Sequence, residues 1–278
     1  MQRLRFLHIP KTAGTTFTQV LNNQFRDEVR FQFTGDIKSD TVRLNTLSMS
    51  EQKNICLYTG HAPILTGINH VDSIATITFL REPVNRVKSF CQHVSEGKSA
   101  YLRKKFPSEN FDLDKFLGSE ILELHNLQTK MLINQGASAI NFDMPVSEAL
   151  NNALDNLFNK ISAFGLVEYF DESLMLFKQK FNWELPLYEI SNTKNMDKLI
   201  EFKPHHIERI KQINSLDIEL YKQAQEKFVE LTSAESFNEK ALLRFRKINK
   251  KQKFSLQKYM NNINGILAKI YNKLLNLS

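Results

Sequence analysis

Two stretches of this chain combine residue types and spacings that could grip an anion. The first is Phe6-Leu7-His8-Ile9-Pro10-Lys11-Thr12-Ala13-Gly14-Thr15-Thr16-Phe17. A strand that ends in a small-residue loop and opens a helix can hold phosphate, because the first N–H groups of the helix lack internal partners and its dipole favours negative charge. Gly14 lets the backbone come close, Thr15 and Thr16 offer hydroxyl donors, and Lys11 brings a mobile positive charge. It is not the loop of nucleotide triphosphatases. That loop has lysine directly after its second glycine, whereas here Lys11 precedes Gly14 by three positions. The second stretch is Thr78-Phe79-Leu80-Arg81-Glu82-Pro83-Val84-Asn85-Arg86-Val87-Lys88-Ser89-Phe90. A guanidinium and a hydroxyl, Arg81 and Ser89, suit a phosphate monoester. Arg86 and Lys88 read as ordinary surface charges.

The elements that must position these residues follow from apolar periodicity. Strands are expected at Arg3 to Ile9, Val29 to Phe33, Ile55 to Thr59, Ser73 to Leu80 and Ala163 to Val167. Helices are expected at Thr15 to about Arg26, from Pro83 to about Val94, at Asp171 to about Phe181, and from His205 to about Glu230. Between Phe111 and Lys160 the pattern is helical, with breaks near Gly136 and Pro145; Leu185 to Asn195 reads as extended or loop. Strands alternating with helices predict an α/β fold: a three-layer, P-loop-like domain with a mostly parallel central sheet and a helical C-terminal extension. Arg81 then stands at the carboxyl end of the fourth strand, the edge where ligands sit in such sheets. Pro83 supplies the bend that lets Ser89, about two helical turns on, converge with it.

The two motifs together resemble the 5'-phosphosulfate loop and the 3'-phosphate motif of the sulfotransferases that use 3'-phosphoadenosine-5'-phosphosulfate (PAPS). The form of the first motif is similar to the carbohydrate branch that includes heparan sulfate 2-O-sulfotransferase. Thr59-Gly60-His61-Ala62-Pro63 resembles that branch's catalytic histidine segment, Asn126 to Leu132 an acceptor-side helix, and Phe164 to Asp171 a shared strand-to-helix junction. With Asp217 and Tyr221 the likeness spans roughly residues 1 to 230. It implies a sulfotransferase that moves a sulfuryl group from PAPS, released as PAP, to a hydroxyl of a carbohydrate acceptor without a metal. Lys11, Thr12, Ala13, Gly14, Thr15 and Thr16 would cradle the 5'-phosphosulfate, with Lys11 neutralising the bridging oxygen. Arg81 and Ser89 would bind the 3'-phosphate, and His61 would be the general base. Lys194, in Ser191-Asn192-Thr193-Lys194, falls where relatives close over the nucleotide. The sequence departs from the 2-O branch at Thr59, where that branch has a second histidine. His8, beside the loop, reads as a packing or supporting residue. His70, His93, His125, His205 and His206 show no spacing that suggests a metal site.

Composition sets the outer bounds. The chain has 278 residues, 42% of them hydrophobic and 24% charged, and a net charge of +7. Nine of its 37 basic residues and none of its 30 acidic ones lie in 241–278, leaving 1–240 at −2. The basicity therefore belongs to a tail, and no nucleic-acid-binding face is expected on the body. Residues 1–240 are expected to form the sulfotransferase domain and 241–278 a basic amphipathic helical tail, with an apolar stripe from Leu256 to Leu274. That stripe suits packing on the body or on a second subunit, or a peripheral contact with anionic lipid or an acidic polymer. Two cysteines, no apolar run of about 18 residues and no signal-peptide pattern predict a cytoplasmic protein, peripheral to a membrane if the tail binds lipid. The rival readings are an ATP-dependent P-loop-like kinase and a non-catalytic nucleotide- or glycan-binding protein.

Overall fold

The computed structural model describes residues 3–26, 28–62, 74–133, 142–189 and 199–251. Five strands, β1 (Leu4–Leu7), β2 (Arg30–Phe33), β3 (Leu57–Gly60), β4 (Ala75–Leu80) and β5 (Ala163–Leu166), form one sheet in the order β2-β3-β1-β4-β5. Every pairing is parallel, and Leu4 stands level with Leu57 on one side and Ala75 on the other. The chain leaves β1 toward β2 and leaves β4 toward β5, in opposite directions. Strands that diverge this way open a crevice between their carboxyl ends.

The helices are α1 (Gly14–Gln24), α2 (Ile37–Asn45), α3 (Met49–Asn54), α4 (Pro83–Ser95), α5 (Leu113–Leu117), α6 (Leu127–Leu132), α7 (Val146–Asp155), α8 (Phe170–Phe181), α9 (Pro204–Ile213) and α10 (Ser215–Ser233). Alternation along the strands sorts the core into two faces. Leu4, Phe6, Ile77 and Phe79 pack on one face with Phe17, Val20 and Leu21 of α1 and Leu174 and Phe177 of α8. Leu7 and Leu80 pack on the other with α6, α7 and α10 through Leu127, Ala153, Leu220 and Ala224. The result is the expected three-layer α/β domain. β4 is buried at all six positions, as a β-branched run covered on both faces should be. α4 carries Val87, Phe90 and Val94 into a satellite core with α5 and α9.

Several elements differ from their sequence expectation. α2 and α3 have no counterpart in the apolar pattern. Their faces are mostly polar, and caps define them instead: Asp36 accepts from Ser39 N, and Ser48 forms a capping box with Glu51. The helical stretch expected from 111 to 160 is broken into α5, α6, α7, one 3-10 turn at Leu122–Leu124 and a π turn at Asn156–Lys160. The helices expected over 205–230 are α9 and α10, and Asn214 marks the division between them because its side chain binds the Leu124 and Ile210 carbonyls. Arg86 is a correction: it is no surface charge but fully buried, donating from Nη2 to Glu123 O at 2.9 Å and to Asn214 Oδ1 at 3.4 Å. Residues 239–251 are helical and send Leu242 and Phe245 into the α1–α8 face of the core. The Leu256–Leu274 stripe lies outside the described residues. Among the described residues no helix is long and apolar enough to cross a membrane.

Candidate active site at the β1–β4 crevice

The loop after β1 is held in an unusual backbone shape. Lys11 and Ala13 have φ of 71° and 61°, left-handed values that cost a non-glycine residue on the order of 1–3 kcal/mol. Alternating left- and right-handed residues curl the chain so that successive N–H groups converge, a shape that suits an anion. The curl is pinned from inside by buried Thr12, whose Oγ1 donates to Ile9 O at 2.8 Å. No side chain caps α1, so its first-turn N–H groups face the crevice mouth unclaimed by a cap. Thr15 is exposed and Thr16 half-buried in that turn.

β4 delivers Arg81 to the same place. Its Nη1 donates to Lys11 O at 3.1 Å, while its Nε is buried with no hydrogen-bond partner. The main chain of Arg81 is clamped by Gln128 of α6, whose Oε1 accepts from Arg81 N and whose Nε2 donates to Arg81 O, both at 2.9 Å. Glu82 then caps α4, accepting from Val84 N and Asn85 N, and Pro83 opens the helix. Ser89 follows two turns into α4, half-buried. Glu168 binds Glu82 N and the Tyr221 hydroxyl, which ties the β5–α8 junction and α10 to the base of Arg81.

Charge around Lys11 is lopsided. Burial lowers the Lys11 pKa most, and the neighbouring Arg81 and Lys98 lower it further; Glu96 works the other way, but is itself paired to Lys98 at 2.5 Å. His93 is pushed down to about 4 by burial, Lys11 and Lys98. Cations this crowded would be a liability unless an anion joined them.

His61 faces the same edge from the end of β3. Gly60 permits the turn: its φ is 118°, and a Cβ there would stand 2.1 Å from Phe33 O. Buried Arg5 reaches under the loop to Ala62 O at 3.3 Å. His61 Nδ1 lies 3.0 Å from His8 O. A carbonyl only accepts, so Nδ1 carries the proton and Nε2 keeps its lone pair. Burial lowers the His61 pKa, with Lys11 adding to it against the His8 hydrogen bond and Glu123. The ring is therefore neutral near pH 7.

The structure thus brings Lys11, Thr12, Ala13, Gly14, Thr15, Thr16, Arg81 and His61 to one sheet edge. Lys194 lies outside the described residues. Gln128, Lys98 and His93 join the site without having been singled out for it. Gln128 falls inside the 126–132 segment, a usable signal, whereas Lys98 and His93 are ordinary in sequence. One further cluster lies elsewhere: Asp114 Oδ1 is 3.0 Å from both His205 Nε2 and His206 Nε2. Lys203 N donates to His206 Nδ1 at 3.0 Å, so His206 holds its proton on Nε2 and has no lone pair there for a cation. The cluster clasps α5 to α9.

An α/β domain with a curled loop after β1 and an arginine after β4 on one sheet edge has the layout of an α/β nucleotide-binding domain. A model described as the sulfotransferase family matches residues 2–223, and the chain belongs to that family. Among curated proteins it is similar to heparan-sulfate 6-O-sulfotransferase 2 of Danio rerio, at 25% identity over 203 residues, and to the protein of the same name from Gallus gallus, at 25% over 270. These matches cover 64% and 81% of this chain, which spans only 43% and 66% of the relatives' own lengths. They correct the sequence resemblance at its finest level: they support the carbohydrate sulfotransferases, not the 2-O branch. Thr59 was the residue that already departed from the 2-O branch.

Proposed function

We propose that this protein transfers a sulfuryl group from PAPS to a hydroxyl of a glycan. The observation that carries the reading is the Arg81 Nη1 bond to Lys11 O at 3.1 Å, because it brings the two motifs read as anion-binding side by side at one sheet edge. Lys11 to Thr16 would hold the 5'-phosphosulfate through loop and helix N–H groups. Arg81 and Ser89 would take the 3'-phosphate, the group that separates PAPS from ATP, and Lys194 would help close over the nucleotide. His61 Nε2 accepts the acceptor hydroxyl's proton as its oxygen bonds to sulfur. The bond from sulfur to the phosphate oxygen breaks, and its electron pair leaves on PAP, where the Lys11 ammonium offsets the charge. The chemistry needs no metal, since the side chains supply the cations. The 6-O-sulfotransferase relatives point to a heparan-type glycan as the first acceptor to try.

The test is incubation with radiolabelled PAPS and a glycan panel, comparing wild type with His61→Ala. We expect the label on a glycan and a loss of about 10²–10⁴-fold in the variant, the range of general-base catalysis. Full transfer by His61→Ala would remove His61 from the mechanism.

A further inference from the structure

The ring of His8 accounts for two of its neighbours at once. It lies between the Phe6 ring, stacked at 5.1 Å between centroids and 15°, and the His61 ring, at 4.2 Å and 34°. It also fills the space over the start of α1: a Cβ on Gly14 would stand 1.7 Å from His8 Nε2. Meanwhile the His8 carbonyl accepts the His61 Nδ1 proton at 3.0 Å. One residue therefore grips His61 twice, by main chain and by side chain. The main chain sets which nitrogen carries the proton, and the side chain limits the swing of the ring.

We infer that His8 is a positioning residue for sulfuryl transfer, whose carbonyl and ring together hold the His61 imidazole with Nε2 presented to the acceptor hydroxyl, and whose ring is what excludes a side chain at Gly14. This rests on His61 acting as the base. The charges that bear on this pair are Lys11 on both rings, which disfavours a proton there, and Glu123 on His61, which favours one. Burial first, then His61 and Lys11, push the His8 pKa down to about 3. His8 therefore stays neutral, and the positive charge that forms on His61 meets an aromatic face instead of a second cation.

The geometry also explains a feature of the loop. Glycine at the helix start lets backbone approach an anion, but here it additionally makes room for an imidazole. Anion cradle and base are thereby coupled through Gly14 and His8, so a wedge at one should disturb the other.

The experiment uses the full chain as His8→Phe, which keeps a ring without its nitrogens, and His8→Ala, which removes it; both keep the main-chain carbonyl. Three quantities are measured: PAP affinity by calorimetry, the ring-nitrogen shifts of His61 across pH in histidine-labelled protein, and kcat and KM for PAPS-dependent transfer. We expect His8→Ala to lower kcat by about tenfold to a hundredfold, the scale of a misplaced reacting group, with PAP affinity changed less than about threefold. With no ring to limit its swing, His61 should leave the His8 carbonyl part of the time, so that it shows mixed tautomers and titrates closer to free imidazole, while His8→Phe restores most of kcat and the single tautomer. Unchanged His61 shifts in His8→Ala, or a fall in PAP affinity as large as the fall in kcat, would overturn the inference. If wild type transfers sulfuryl to no acceptor, the catalytic reading fails instead, and the nitrogen shifts still decide whether His8 positions His61.

Discussion

Two polar clusters in this molecule, one of asparagine and aspartate and one of lysine, arginine and bare N–H groups, behave in opposite ways. Behind α6, Asn126, Asn214 and Asp217 use their side chains on one another's segments. Asp217 accepts from Gln128 N, Thr129 N and Thr129 Oγ1; Asn126 caps α10 through Leu216 N and Asp217 N; Asn214 accepts from Asn126 N and donates to two carbonyls. At the β1–β4 crevice, by contrast, a left-handed loop, an uncapped helix start and a guanidinium with an unpartnered Nε point at one place. The first network closes on itself through Asn126, Asn214 and Asp217, although Arg86 Nε and Nη1 and Lys130 Nζ beside it are buried without a hydrogen-bond partner; the second leaves its donors turned to an opening. The two meet at Gln128, whose main chain is held by Asp217 and whose side chain holds Arg81.

The largest effect should come from opening the closed cluster. Asp217 is fully buried, and its charge opposes those of Arg86 and Lys130, themselves fully buried; Lys130 is pushed down to about 8, by burial first. Asp217→Ala should cost about 3–5 kcal/mol, because it strips the acceptor from three buried donors and removes the negative charge that offsets buried Arg86 and Lys130. Urea unfolding checks this, and a loss under about 1 kcal/mol would mean that the network is not a keystone. Next comes Lys11→Ala, which should lower transfer about 10²–10³-fold, as does loss of a charge-stabilising donor. Its melting temperature should hold or rise, because one of several crowded cations has gone. A parallel loss of stability would erase the contrast between the clusters. Arg81→Ala should weaken PAP about tenfold to a hundredfold by calorimetry, as removal of a charged hydrogen-bond donor does, and should affect a nucleotide lacking the 3'-phosphate much less.

A separate effect is on acid stability. His8 and His93 titrate at about 3 and about 4 in the folded chain and near 6.5 when unfolded. Between those values the unfolded chain binds more protons, so stability is whole above about pH 6.5 and falls as pH drops toward 3. Melting curves at pH 7 and pH 5 should show the decline, with a shallower slope in His8→Phe. Transfer should hold at lower pH than free imidazole would allow, since the His61 pKa is lowered.

How much of this was legible beforehand varies by element. β4 and its Arg81 could be read because a six-residue β-branched run buried on both faces leaves a plain signal. The first loop was legible from lysine, glycine and threonine spacing, and the parallel sheet, though not its strand order, followed from alternation. α2 and α3 were not, since caps rather than apolar stripes define them. Nor was the tight clustering of short helices from 113 to 132, where cross-chain side-chain bonds replace periodicity. Arg86 was misread because an arginine two turns from a strand looks like any surface residue, and only the packing of Asn214 and Glu123 against it buries it. Lys98 and His93 reach the site through the far end of α4, a distance that spacing along the chain does not express.

The bond from Arg81 to the Lys11 carbonyl has a consequence for how a ligand would be assembled in place. Because the arginine is already fastened to the opposite loop, neither half must be gathered when a nucleotide arrives, and little ordering entropy is spent on entry. A fragment carrying only one of the two charged ends would find the other half standing ready, so that joining two weak fragments in one molecule should gain nearly the full product of their affinities.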